Sequence, residues 1–389
     1  MNGVKILASG DDHFCEHARL DECIRMHQFM VDVAREERVD CFISTGDMFE
    51  RPTSTPVERR AVADFLRAMA EVCPVLHAHG NHGNPKDMQL MMKLQTRHPV
   101  IVETAAAVHH VAGAAIGLMA WPERARLAAA FQGASAAELD TNAEEMLRNV
   151  VRGLGAQMAD HSGPRLLAGH FMVDGSVTSV GQPLIGQAMA VGLTDLALAD
   201  VPLVLMGHVH APQHWRHGET DIVYTGSSFR TTYGEIEEKS IVLAEFDGSR
   251  LVGWRRIPTP CAPMLLLEDE WCVHADGGAG WLDGAPDDIN ARGAEIRFRF
   301  RCDADQRAAA RAAAETVKAM LLEAGAIDVK LDPIVNAMGT ARAPEVARAV
   351  TLLDKLRAYW AARQATPEKS REERLLGKAA SLEESIHAI

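Results

Sequence analysis

Five short apolar runs, at residues 4–8, 41–44, 75–78, 166–168 and 203–206, are bounded by turn residues and partly β-branched. Such runs predict buried strands. Between the first two, Leu20, Ile24, Val31 and Ala34 recur at helical spacing and predict a crossover helix. After the second, Thr55-Pro56-Val57-Glu58 has the form of a capping box with proline at the first helical position, ahead of a Val62, Phe65, Leu66 and Met69 stripe. Residues 122–160, rich in Ala and Glu with Met146, Val150, Val151 and Leu154, predict a further helix covering the sheet. Strand and helix therefore alternate, as in an α/β fold. If the five strands share a sheet with helical crossovers, their carboxyl ends line one edge, where ligand sites of open sheets form.

From 222 to 254 the period moves toward two, in 222–224, 240–246 and 251–254 around an Asp247-Gly248 turn, which predicts antiparallel strands closing the core. A domain boundary is expected at 258–263. Beyond it, 296–301 alternates strictly, an Ala-rich helix is expected over 305–323 with Gly325 as its stop, and a strand over 327–331, which makes a small β-α-β unit. The alternation puts Phe298 and Phe300 on one face and Arg297, Arg299 and Arg301 on the other. That row is either a solvated basic face or a contact to a phosphate backbone. In the tail, Val346, Val350, Leu353, Leu356 and Trp360 within 344–363, then Leu375, Ala379, Leu382 and Ile386 behind Thr366-Pro367, predict two amphipathic helices. Such stripes need cover from the preceding domain or from a partner. Three domains are expected: 1–257, 258–340 and 341–389.

A polar motif stands directly behind each of the five runs: Asp11-Asp12-His13, Gly46-Asp47, Gly80-Asn81-His82, Gly169-His170 and Gly207-His208-Val209-His210. Carboxylates, an amide oxygen and imidazoles without thiolates suit manganese, zinc or iron and argue against a structural zinc cluster. Asp11 and His13, like His208 and His210, are two apart, so in an extended segment each pair points the same way. Asp47, behind Gly46, is best placed to bridge two ions. Two ions about 3.5–4 Å apart activate a water and stabilise both attacking and leaving oxygens of an in-line phosphoryl displacement. Alone, Asp-x-His carries no signal, Gly-Asp is a common turn and a lone His after a strand is more often a core or surface histidine, whereas Gly-x-His-x-His is moderately specific and Gly-Asn-His more so. Their joint occurrence, in this order, carries the reading of a phosphoesterase.

The five motifs resemble the calcineurin-like metallophosphoesterase superfamily, and 4–254 is similar to its SbcD-type DNA-repair nuclease branch. Supporting segments are Gly46-Asp47-Met48-Phe49 followed by 52–56, Gly207-His208-Val209-His210-Ala211-Pro212-Gln213, and Tyr224-Thr225-Gly226-Ser227-Ser228-Phe229-Arg230 with Tyr233-Gly234-Glu235. The resemblance implies a four-layer α-β-β-α sandwich, a small β-α-β capping domain that helps select DNA, and a helical C-terminal tail. It implies that Asp11, His13, Asp47 and His210 hold one divalent ion and that Asp47, Asn81, His170 and His208 hold the other, with manganese preferred. His82 would be the catalytic proton donor or charge stabiliser beside the scissile phosphate. The implied partners are DNA, a second copy of the chain, and an SbcC-type coiled-coil ATPase bound by the C-terminal helices. One departure stands inside the motifs. The family pattern continues Asn-His-Asp or Asn-His-Glu, but Gly83 follows His82 and removes an acidic group that could orient the histidine; such losses cost about 10–100-fold in activity or affinity. Glu50 and Arg51 also occupy a stretch where some relatives place a phosphate-orienting histidine.

The expected function is therefore that of a two-metal DNA exonuclease and endonuclease subunit of an SbcCD-like repair complex. The motifs alone equally allow a phosphatase or phosphodiesterase acting on a small molecule or phosphoprotein, and the second unit and amphipathic tail favour the partnered role. A DNA-end-binding scaffold with a weakened site is a third reading, motivated by Gly83. Composition adds bounds. With 389 residues, 47% hydrophobic and 24% charged, the chain is ordinary for a multidomain protein. No apolar run approaches bilayer length and no basic leader with a cleavage site precedes the first strand, so a cytoplasmic protein without membrane association is expected. Seven cysteines without Cys-x-x-Cys spacing point to free thiols. A net charge of −13 speaks against a generic DNA-coating surface. It leaves room for a nuclease whose positive charge comes from bound dications, a local basic patch or a partner.

Overall fold

In the computed structural model, which describes residues 3–122, 136–180, 190–273, 278–283, 289–336, 346, 348–363 and 369–387, each of the five apolar runs is a strand. The chain begins β1 (Val4–Ser9), α1 (Leu20–Glu37), β2 (Cys41–Ser44), α2 (Pro56–Ala70), β3 (Val75–Ala78), α3 (Pro85–Met91), β4 (Val100–Glu103), β5 (Ala106–Val111) and β6 (Ala114–Met119). It continues α4 (Ala136–Met158), β7 (Arg165–His170), β8 (Met172–Val173), β9 (Ala190–Val191), α5 (Leu193–Ala197), β10 (Leu203–Gly207), β11 (Gln213–His217), β12 (Thr220–Tyr224), β13 (Ser240–Asp247) and β14 (Arg250–Pro258). Two six-stranded sheets result, ordered β14-β13-β1-β2-β3-β4 and β11-β12-β10-β7-β6-β5. The motif-bearing strands do not share one sheet, as the sequence reading supposed. Parallel β1, β2 and β3 belong to the first and parallel β7 and β10 to the second.

Alternation along the strands explains why both sheets read as unbroken apolar runs: each is covered on both faces. Ile6, Ala8, Ile43 and Leu76 of the first sheet share one core with Ile116, Leu166, Leu203 and Leu205 of the second, so the sheets lie face to face. The opposite faces carry helices. Leu7, Phe42 and Val75 pack with Met26 and Met30 of α1 and Val62 and Leu66 of α2, while Leu167, Val204 and Met206 pack with Leu147, Val151 and Leu154 of α4. This is the expected four-layer α-β-β-α sandwich.

Three local expectations are corrected. The buried face of α1 runs through Cys23, Met26, Met30 and Ala34, whereas Ile24 is 42% exposed, because one residue is a 100° step round the helix from Cys23. Strand β12 is antiparallel only to β11 and runs parallel to β10, since β11 occupies the sheet edge; the hairpin β13–β14 and its pairing with β1 are antiparallel as expected. In the tail, the expected 344–363 helix is interrupted: residues 346 and 348 are helical, 349–351 are not, and a helix starts at Leu352, where Thr351 Oγ1 accepts from the Asp354 amide and donates to its carboxylate. Residues 123–135 of the expected 122–160 helix, residues 344 and 345, and the cap at Thr366-Pro367 lie outside the described residues.

After β14 come β15 (Met264–Val273), β16 (Ala279–Trp281), β17 (Glu295–Asp303), α6 (Arg307–Glu323) and β18 (Asp328–Asn336), with the strands ordered β16-β15-β17-β18. Along β17, Ile296, Phe298 and Phe300 are buried and the three arginines take the other face. The tail helices α7 (Leu352–Arg363) and α8 (Lys369–His387) pack on each other, and no residue of α7 is buried. Residues 1–267, 290–297 and 321–330 form one compact unit and the remainder a second. All seven cysteines are free thiols. No helix among the described residues is long and apolar enough to cross a membrane.

The capping box on α2 is formed: Thr55 Oγ1 accepts from the Glu58 amide at 3.2 Å, and the Glu58 carboxylate accepts from the Thr55 amide at 2.8 Å and from the Glu16 amide at 2.7 Å. Replacing Thr55 with Ala is expected to lower unfolding stability by about 1 kcal/mol in urea denaturation. An unchanged midpoint would show that the cap does not hold this helix end.

Candidate metal centre

The loops that leave β1 and β2 run side by side. Thr45 N donates to Ser9 O at 2.8 Å, Asp11 N to Gly46 O at 3.1 Å and His13 N to Asp47 O at 2.8 Å. Asp11, His13 and Asp47 have φ of 54°, 45° and 51°, and His208 has φ 100°. None of these is extended, so the same-side geometry expected for Asp11-x-His13 and His208-x-His210 is replaced by left-handed turns. Such conformations are uncommon outside glycine and persist where surrounding contacts enforce them. Here the contacts are evident: the His208 amide donates to both Asp11 carboxylate oxygens, at 2.9 and 3.1 Å. Two glycines make the approach possible. A Cβ at Gly46 would collide with the His170 ring, and one at Gly80 with the Asp47 carboxylate.

The turns bring together all seven residues singled out as metal ligands. Asp11, His13 and His210 form one group of convergent donor atoms, and Asp47, His170 and His208 form another. In the first, His13 Nε2 and His210 Nε2 face each other at 3.1 Å. In the second, Asn81 Oδ1 lies 3.0 Å from His170 Nε2 and 2.9 Å from His208 Nδ1. Asp47 Oδ2 lies 3.1 Å from His170 Nε2 and 3.9 Å from His13 Nε2, between the groups. Trp121 walls the second group, its ring 4.9 Å from that of His208.

The donor set fits divalent cations. His170 donates its Nδ1–H to Thr45 O at 2.8 Å, so its neutral form carries a lone pair on Nε2. Two further acceptors, Asp47 Oδ2 and Asn81 Oδ1, face that lone pair. Acceptors so arranged require positive charge, supplied by a proton or a metal ion. The titration behaviour reflects this demand. Burial opposes charge on His170, but Asp47 outweighs it and raises the pKa. For His13, burial is outweighed by the hydrogen-bonded Glu50, with Asp47 and Asp11, and the pKa is pushed up to about 9. Burial would raise the Asp47 pKa, yet the surrounding histidines, His170 foremost, hold it well below the usual carboxylate range. Burial and the neighbouring His170 lower His208 to about 3, which keeps its imidazole neutral as ligation needs.

His82 sits beside both groups without belonging to the seven. Its amide donates to Asp47 Oδ1 at 2.8 Å, and its Nδ1–H donates to the backbone carbonyl of Glu50 at 2.9 Å. The orienting acceptor that Gly83 lacks is thus a main-chain oxygen, which sequence reasoning could not foresee. Gly83 has its own reason: φ is +81°, and a Cβ there would come 3.1 Å from Phe49 Cβ. The Glu50 carboxylate meanwhile contacts His13 Nδ1 at 2.6 Å. A cleft of about 230 Å³ opens over the cluster, lined by His13, Asp47, His82, His208, His210 and Arg51 among others. Arg299 pairs with Asp332 at 3.0 Å and Glu268 at 3.4 Å, Arg297 lies over the Tyr233 ring at 4.5 Å, and Arg301 is exposed. Sequence reasoning gave no role to Glu235, whose carboxylate lies 3.0 Å from His210 Nδ1; its only signal was the Tyr233-Gly234-Glu235 segment.

No family model matches the chain. It is 23% identical over 281 residues to the SbcD component of the SbcCD nuclease of Bacillus subtilis (strain 168), spanning 65% of this chain and 69% of that protein. A 68-residue stretch is 32% identical to the DNA double-strand break repair protein Mre11 of Aeropyrum pernix, spanning 17% of each. A dimetal phosphatase from Danio rerio aligns with 66% of this chain and 96% of its own, at 11% identity and a TM-score of 0.41. By the sequence match to the Bacillus protein and the motif residues grouped at the strand ends, the chain is similar to the SbcD-type calcineurin-like metallophosphoesterases.

Proposed function

We propose that the chain is the two-metal DNA nuclease subunit of an SbcCD-like repair complex, working in the cytoplasm. The observation that carries this reading is the convergence of seven donor residues from five strand ends on two groups joined by Asp47. Asp11, His13, Asp47 and His210 hold one ion, and Asp47, Asn81, His170 and His208 the other. Oxygen and imidazole donors without thiolates suit manganese. When bound, two such ions activate a water and stabilise charge on the phosphodiester oxygens. The remaining work falls to the protein. Glu50 O holds His82 Nδ1–H and leaves Nε2 for the leaving oxygen, and an imidazole exchanges protons near neutral pH. The choice of DNA rests on the two sequence relatives, one a nuclease component and the other a DNA double-strand break repair protein.

The same reading gives residues 258–340 the capping role and the β17 arginines a phosphate contact. Arg301 leads that contact, because Arg299 is tied to Asp332 and Glu268. Residues 341–389 are assigned to an SbcC-type coiled-coil ATPase, and the nuclease acts as a homodimer. Support for the ATPase surface is apolar exposure: Val350 is 90% exposed, and Leu352, Tyr359 and Leu382 are exposed as well.

Purified protein with manganese is expected to cleave end-labelled duplex or circular single-stranded DNA, alone or with its ATPase. His82→Asn is expected to lower kcat by about 10²–10⁴-fold while leaving manganese uptake unchanged. Equal rates for the two proteins would remove His82 from the chemistry. Hydrolysis of a small phosphodiester but never of DNA, with or without the ATPase, would replace the nuclease reading by a small-molecule phosphodiesterase. Deleting the chain after residue 345 is expected to preserve manganese-dependent cleavage and abolish ATPase binding on a sizing column; retained binding would refute the tail's role.

A further inference from the structure

Behind His210, away from the cleft, lies a buried ion pair that the proposed chemistry does not use. Glu235 and Lys239 side chains are both 0% exposed, and Lys239 Nζ lies 2.7 Å from Glu235 Oε2. The other carboxylate oxygen, Oε1, lies 3.0 Å from His210 Nδ1 and accepts from Thr231 Oγ1 at 2.6 Å. Lys239 Nζ also donates to the His210 carbonyl at 3.2 Å, to Ser227 Oγ at 2.9 Å and to Glu237 Oε1 at 2.8 Å. His210 is therefore held at both ends, its ring by Glu235 and its main chain by Lys239.

We infer that Glu235, charge-balanced by Lys239, is a positioning residue for His210 and sets the affinity of the ion held with Asp11, His13 and Asp47. The inference rests on the two-metal reading. A carboxylate can only accept from the ring, so Nδ1 carries the proton and Nε2 presents its lone pair, 3.1 Å from His13 Nε2. A hydrogen bond from imidazole to carboxylate fixes the ring and makes its free nitrogen a more basic ligand. The second group is built differently: His170 Nδ1 is held by the neutral Thr45 carbonyl. Stability alone does not account for the pair, because well-packed apolar residues often replace buried ion pairs without loss. What apolar residues cannot supply is a charged acceptor at His210 Nδ1. The Glu50 carboxylate does the equivalent for His13, but it is 41% exposed and its hold is weakened by solvent.

The test uses the full chain and two double variants that remove both charges together, so that no lone charge is buried. Glu235→Gln with Lys239→Met keeps an amide oxygen that can accept from His210, and Glu235→Leu with Lys239→Met keeps none. Manganese binding is measured by isothermal titration calorimetry, with thermal unfolding in EDTA as the readout of a purely structural role. The expected result is two ions on the wild type, and a graded loss confined to one site, reaching about 10–100-fold for the Leu variant. The melting temperature in EDTA should move little. A folded Leu variant with wild-type affinity at both sites would overturn the inference. Should both doubles unfold, Thr231→Val decides, because it removes a hydroxyl that holds Glu235 and buries no charge; the inference requires weaker binding of one ion, and unchanged binding overturns it. A wild type that takes up no manganese would instead overturn the proposed function.

Discussion

Asp47 is the constraint around which the rest of the centre is arranged. A carboxylate that is 2% exposed must be met by positive charge or by hydrogen bonds. Here it receives one amide hydrogen bond, from His82, and otherwise faces imidazoles from three different loops. Parallel β1, β2 and β3 bring three of the loops to one edge of the first sheet, and β7, parallel to β10, brings His170 from the second. The glycines follow from the same demand. Gly46 and Gly80 are small because the His170 ring and the Asp47 carboxylate occupy the space where a Cβ would stand.

From this centre outward, four histidines are held by two kinds of acceptor. His170 uses a main-chain carbonyl, His82 another, His13 a half-exposed carboxylate and His210 a fully buried one. The ring orientations of these four are thereby set by the protein itself. The acidic chain, with a net charge of −13, leaves room for a phosphate substrate where bound dications, a local basic patch or a partner supply positive charge.

The motif residues were legible in the sequence because each is a local event, a polar pair after an apolar run, and all seven donors meet in space as those runs suggested. The four layers were legible for a similar reason, since strands covered on both faces read as unbroken apolar stretches. Less was visible wherever the partner is distant or is a backbone atom. No spacing rule separates the strands of β1 to β3 from β7 and β10 into two sheets. The Glu50 carbonyl that replaces the acidic neighbour of His82 carries no side-chain signal at all. Likewise Glu235 reaches His210 across 25 residues of chain, through a loop whose shape depends on the buried Lys239. Ile24 was misassigned because a single residue's rotation about α1 decides between core and solvent.

The central claim is that Asp47 would hold both of two metal ions, and anomalous diffraction from manganese-soaked crystals measures that directly. The account predicts two manganese peaks about 3.5–4 Å apart, both within coordination distance of the Asp47 carboxylate. One would be bounded by Asp11, His13 and His210, the other by Asn81, His170 and His208. A single peak, or two peaks of which only one touches Asp47, would contradict it.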